Sequence, residues 1–236
     1  MPRTLASLLA TVALGSLLPL AVHAADLHDG DIEISVVNNQ LKLSGNHVFH
    51  ADGSPVFEGD FGDFAGGPYL TDDPGYDSEN GTFLAGTVIS YTALGSLKHW
   101  NGSAWQASVP GNEYVRMDGN FGEESRWTVS GLTGDTSGLV GQAGNTGKIH
   151  EHLDLRVARV GGGAPAAGAY LVQLQLTADN AYQSSTPYYM AMNRGLTVDA
   201  FETAVGALAP VPEPQTWALM MAGLVIGALA LRNRRH

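Results

Sequence analysis

Between Lys148 and Val160 apolar and polar side chains alternate residue by residue: Ile149, Leu153, Leu155 and Val157 share one parity, and His150, His152, Asp154 and Arg156 the other. Successive side chains of a strand point to opposite faces, so this period fits a half-buried β-strand and not a helix. The same alternation sets Ile32, Ile34 and Val36 against Asp31, Glu33 and Ser35, and Asn38-Asn39 then offers a turn into the short run Leu41 to Leu43. Further strands are predicted over Thr82–Tyr91, Tyr114–Met117, Trp127–Ser130, Ala169–Thr177 and Pro187–Met192. Asn101-Gly102, between Leu97–Trp100 and Ala104–Trp105, reads as a two-residue type I′ hairpin turn. The Gly/Ala/Pro-rich stretch Gly161 to Gly168 reads as a hairpin loop. About nine or ten strands joined by such turns predict an all-β fold, an antiparallel β-sandwich. A single helix closes it: Val198, Phe201, Val205 and Leu208 recur at helical spacing from Thr197 to Leu208, with Asp199 and Glu202 suiting a positive first turn.

The two ends of the chain carry transport signals. Arg3, the apolar run Leu5 to Val22 and the small-residue site Val22-His23-Ala24 make residues 1–24 a predicted secretory signal peptide. At the other end, Val211-Pro212-Glu213-Pro214 precedes an apolar run from Trp217 to Leu231 and the basic residues Arg232, Arg234 and Arg235. An apolar stretch of that length rises roughly 22 Å as a helix, short of the ~30 Å hydrocarbon core, so it suits a temporary stop better than a permanent anchor. The positive-inside rule keeps the arginines cytoplasmic and leaves everything before Pro212 outside the inner membrane. The expected organisation is a signal peptide (1–24), a β-sandwich domain (25–209) and a sorting signal (210–236) with a transmembrane helix over 216–231. The order Pro-Glu-Pro, short hydrophobic span, terminal arginines resembles the PEP-CTERM sorting signal. That resemblance implies a Gram-negative exported protein handled by an exosortase, cut near Pro212 to Pro214, and placed at the cell surface or in the extracellular matrix.

Charge narrows the partners. The chain carries a formal charge of −11, and all of its 23 acidic residues except Glu213 lie between the two signals, whereas four of its 12 basic residues lie within them. A body this acidic repels nucleic acid and anionic lipid and favours cations. The chain has no cysteine, so no disulfide framework supports the exported domain and cysteine nucleophiles are excluded.

The candidate chemistry lies on the polar parity of 148–160. His150 and His152, about 7 Å apart at Cα on one strand face, can converge on one ion, with Asp154 further along the row. His28, beside Asp29 and three residues before Asp31, is the best further candidate. His47, His50 and His99 read as surface or packing residues. The run from Asp72 to Gly81 crowds Asp72, Asp73, Asp77 and Glu79 into one turn. The run lacks the Asp-x-Asp-x-Asp-Gly spacing of a calcium loop and reads first as a hydrated Pro-Gly turn; the alternative is a calcium site, with Asp72, Asp73 and Asp77 as hard oxygen ligands.

The body carries a second resemblance. His28 to Ile34, Asp72-Asp73-Pro74-Gly75-Tyr76, Leu97 to Trp100, His150-Glu151-His152-Leu153, Gly168-Ala169-Tyr170-Leu171 and Ser185 to Asn193 resemble, in order, PEP-CTERM proteins under zinc-responsive repression. They are distantly similar to the bacterial surface domains called choice-of-anchor M. What this implies is a zinc-linked exported protein with His28, Asp31, His150 and His152 as ligands. No Gly-x-Ser-x-Gly elbow or His-Glu-x-x-His helix occurs, and Glu151 has the parity opposite to the histidines, so the expectation is a non-catalytic zinc or divalent-cation binder. The alternative is a structural or glycan-binding protein of an exopolysaccharide matrix, with Trp100, Trp105, Trp127 and Tyr188-Tyr189 as sugar-stacking candidates.

Overall fold

A computed structural model of the chain describes residues 30–63 and 66–209. The predicted signal peptide, His28 and the C-terminal sorting signal with its 216–231 helix lie outside those residues. Among the described residues no helix is long and apolar enough to cross a membrane.

Among the described residues the fold is mainly β, with sixteen strands and one helix. In chain order the strands are β1 (Ile32–Val37), β2 (Gln40–Ser44), β3 (His47–Phe49), β4 (Pro55–Asp60), β5 (Leu70–Thr71), β6 (Tyr76–Ser78), β7 (Val88–Trp100) and β8 (Trp105–Gln106). They continue with β9 (Glu113–Asp118), β10 (Glu124–Thr128), β11 (Gly131–Gly134), β12 (Ser137–Gln142), β13 (His150–Glu151), β14 (Leu155–Arg159), β15 (Gly168–Ala178) and β16 (Tyr188–Arg194); the helix α1 spans Val198–Gly206. Three sheets result: β13-β6-β1-β2, β11-β10-β9-β14-β5, and β12-β7-β15-β16-β4-β3 with β8 on β7.

This corrects the antiparallel sandwich in two respects. There are three sheets rather than two, and β1 pairs with β6, and β16 with β4, in parallel. A parallel pair needs a crossover, and nothing in local alternation records which distant strand a crossover finds. The predicted strand from Lys148 to Val160 is also divided. Alternating burial persists along it, with Ile149, Leu153, Leu155 and Val157 buried, but residues 152–154 carry the chain from β13 in one sheet to β14 in another. Gly161 to Gly168 likewise joins strands of different sheets and is no hairpin. The predicted Thr82–Tyr91 strand begins only at Val88.

Turn chemistry explains one hairpin and corrects another. Asn38 and Asn39 both adopt positive φ, 50° and 64°, as a type I′ turn between β1 and β2 requires. At Asn101-Gly102 only the glycine has positive φ. The loop runs from Asn101 to Ala104 instead, because Asn101 Oδ1 accepts hydrogen bonds from the backbone N–H groups of Ser103 and Ala104.

One apolar cluster gathers side chains from all three sheets, among them Ile32, Tyr76, Met117, Trp127, Leu155 and Leu174. Trp127 and Tyr188 are fully buried in it, so these two sugar-stacking candidates are core. A second cluster lies on the other face of β15 and β16, where Ala169, Leu171 and Ala191 meet Phe201, Ala204, Val205 and Leu208. The helix is capped by Thr197, whose side chain accepts from the Ala200 N–H. Val198, read as part of its apolar stripe, is 74 % exposed because it opens the first turn, ahead of the packed face.

Candidate metal centre

Three segments distant in sequence meet at one end of the four-stranded sheet. Asp31 directly precedes β1, and its side chain is buried. Its Oδ1 accepts the Gly75 N–H at 3.0 Å, while Ile32 N–H donates to the Gly75 carbonyl at 2.9 Å, so the start of β1 and the turn before β6 are tied together. Gly45 permits this packing: it has φ +119°, and a Cβ there would lie 2.7 Å from the Asp31 carbonyl oxygen.

The other wall comes from β13. Its edge is fixed by reciprocal bonds, Ser78 N–H to the Ile149 carbonyl and Ile149 N–H to Ser78 Oγ, both 3.0 Å. With Ile149 and Leu153 buried on the inner parity, His150 and His152 project together on the outer one. His150 Nε2 and His152 Nε2 lie 3.2 Å apart, and they stand 3.6 and 3.7 Å from Asp31 Oδ2. Ligands of a tetrahedral zinc ion with bonds of about 2.0–2.2 Å are separated by roughly 3.3–3.6 Å. The triangle therefore has the dimensions of one face of such a shell. Its carboxylate is at the bottom and its imidazoles are partly exposed, which leaves a path for an ion.

His152 is also oriented from behind. Its Nδ1 lies 3.0 Å from the Asp72 carbonyl oxygen, which only accepts, so Nδ1 carries the proton and the Nε2 lone pair faces His150 and Asp31. Asp73 Oδ1 is 3.4 Å from the same Nδ1. The group Asp72, Asp73 and His152 is compact enough to hold an ion too, but the nitrogen it offers already donates to Asp72. It serves better as the support of the first group. Gly75 lets the ring lie flat against the chain, for a Cβ there would sit 2.6–2.8 Å from three ring atoms of His152. The surroundings are electronegative: burial, partly offset by a hydrogen bond from Thr71, and then the charges of Asp73 and Asp60 raise the Asp63 carboxyl above its ordinary range.

The structure thus brings Asp31, His150 and His152 together, while His28 lies outside the described residues. It separates the predicted calcium set. Asp77 is fully buried within β6, where its carboxylate meets Lys148 Nζ at 3.2 Å, away from Asp72 and Asp73. Strand pairing with His150 draws residue 77 into the sheet. Glu151 reaches Asn120 Nδ2 at 3.3 Å on the face opposite the imidazoles, as its parity implies. His47 packs against Phe57 and His50 over Tyr189, both as packing residues. Sequence reasoning did not single out Gly75 or the Asp72 carbonyl. The signals for them were their place in the Asp72-Asp73-Pro74-Gly75-Tyr76 motif and a glycine in a turn already rich in acidic residues.

The class of protein follows from the far end of the chain. Residues 210–235 match the PEP-CTERM protein-sorting motif. That motif marks an exported protein of the cell envelope, sorted and processed by an exosortase, here with a β-rich body carrying an Asp/His group that is a candidate metal site. No curated protein and no solved structure matches the chain.

Proposed function

We propose that this exosortase-sorted protein is a non-catalytic binder of zinc, or of another divalent cation of similar size and preference, acting outside the inner membrane. Asp31, His150 and His152 are the ligands, and His28, three residues before Asp31, supplies a fourth. The observation that carries this reading is the triangle of two imidazole nitrogens and one carboxylate oxygen with edges of 3.2, 3.6 and 3.7 Å. Nitrogen-rich donors select zinc-like ions over calcium, which takes six to eight oxygens. The resemblance of the body to proteins under zinc-responsive repression supports the same assignment. Glu151 faces away from the imidazoles, which supports a binding role over a hydrolytic one.

In this reading the C-terminal segment holds the protein in the inner membrane with its body periplasmic. Exosortase cleavage near Pro212 to Pro214 then passes it to the cell surface or matrix. Metal analysis and zinc titration of the full chain test the assignment, beside a variant with His150 and His152 both changed to alanine. Equal zinc affinity of the two proteins would refute it.

A further inference from the structure

A second site lies on a different sheet. A cavity of about 410 Å³ opens where β7 ends, between the Asn101–Ala104 loop, the segment after β8 and Leu196 ahead of the helix. That volume lies within the roughly 300–1,000 Å³ of small-ligand pockets. Its lining shares no residue with the Asp31, His150 and His152 group.

The lining contains no Asp, Glu, Lys or Arg, in a chain whose formal charge is −11. His99 forms part of the wall and is 4 % exposed. Burial, only partly opposed by the Ala167 carbonyl and by Glu113, lowers its pKa and disfavours the charged ring. A charged ligand would find no counter-charge there. A wholly apolar one would use the Trp100 wall and none of the polar groups on the rim.

The wall and rim differ in chemistry. Trp100, 5 % exposed, packs on Trp105 with ring centroids 5.8 Å apart, and the Trp105 indole N–H donates to the Ala204 carbonyl at 2.8 Å. The aromatic wall is therefore fixed by the helix. On the rim, Asn101 Oδ1 is taken up by its own loop, which leaves its NH₂ as the group available to a ligand. Ser108 Oγ donates to Gln106 Oε1 at 3.2 Å, which leaves the Gln106 NH₂ as donor and the Ser108 oxygen as acceptor. Two amide donors and a hydroxyl acceptor beside a fixed indole match a molecule that combines hydroxyl groups with an apolar C–H face.

We infer that this cavity binds a neutral sugar residue, its C–H face toward Trp100 and its hydroxyls on Asn101, Gln106 and Ser108. Sites of this kind bind in the millimolar range, corresponding to about −4 kcal/mol. The test uses the full chain in a detergent without a sugar headgroup, with saturation-transfer NMR and titration against maltotriose, cellotriose, trigalacturonate and indole. The expected result is saturable transfer to a neutral trisaccharide, none to trigalacturonate, and no change on adding EDTA. Gln106→Ala with Ser108→Ala removes exposed side chains and is expected to weaken binding roughly fivefold or more, the effect of one lost hydrogen bond of about 1 kcal/mol. Silence from both neutral sugars, undiminished binding by the double variant, or preference for trigalacturonate or indole would overturn the inference. Insensitivity to EDTA keeps this outcome separate from that of the metal centre.

Discussion

His150 Nε2 and His152 Nε2 are 3.2 Å apart and both face Asp31, while the opposite nitrogen of His152 is held by the Asp72 carbonyl. With the proton of His152 fixed on Nδ1, its Nε2 lone pair is directed where a cation can be shared with the second imidazole. Replacing one of the imidazole ligands removes a bond that water replaces only weakly. His150→Ala is expected to reduce zinc affinity by about 100-fold or more in competition with a chromogenic chelator. Calcium in millimolar excess is expected not to displace zinc, since the two nitrogen donors suit it poorly. Displacement by calcium would point to the carboxylates alone as the binding group.

Gly75 provides a test that leaves every ligand in place. A methyl group at this position would approach the His152 ring to 2.6–2.8 Å, so Gly75→Ala must shift the imidazole from its observed place beside His150. Changes to groups that orient a metal ligand lower affinity by about 10–100-fold, and that is the expectation for zinc here. Circular dichroism should report an unchanged β fold. Unaltered zinc affinity in the folded variant would show that the observed position of His152 is not the one that binds.

The alternation of Ile149, Leu153, Leu155 and Val157 with His150, His152 and Asp154 was legible because period two is local, and it correctly placed both imidazoles on one side. The Asn38-Asn39 hairpin and the Thr197-capped helix were legible for the same reason: their determinants lie within a few residues. The break between β13 and β14 was not, since it depends on which sheets those strands join, and β13 pairs with β6 some seventy residues earlier. The match of Asp31 to the two histidines came from resemblance and not from spacing. Its physical cause is the parallel pairing of β1 with β6, which no local pattern encodes. Asp77 was misread because an acidic turn and a buried strand residue beside a lysine look alike in sequence.

Just beyond the candidate metal centre, Tyr76 and Tyr188 share a hydrogen bond of 2.7 Å between side chains that are both fully buried. Changing either tyrosine to phenylalanine strands the other hydroxyl in the core, at a cost of about 1–3 kcal/mol. Changing both removes the stranded group. The double variant Tyr76→Phe with Tyr188→Phe is therefore expected to lose less stability than the sum of the two single changes, by 1 kcal/mol or so in a urea-unfolding cycle. Strict additivity would mean that the two hydroxyls do not depend on each other.

Acid stability gives a last expectation, at the turn between β3 and β4. Burial acts to raise the pKa of Asp52, but hydrogen bonds from the Ser54 backbone N–H and hydroxyl, from His50 and from the Tyr189 hydroxyl outweigh it and lower the value to about 2. An unfolded aspartate titrates near 3.9, so the folded turn gains stability above about pH 4 and loses that gain as pH falls through about 2. The Asp52 side chain is 45 % exposed, and solvent screening holds the contribution below about 1 kcal/mol. Asp52→Asn should accordingly destabilise the protein by up to that amount at pH 7 and by almost nothing at pH 2, as read from urea midpoints at the two pH values. An equal loss at both would assign the effect to the acceptor oxygen lost to Ser54 or Tyr189 and not to the charge, because the amide keeps the side-chain volume.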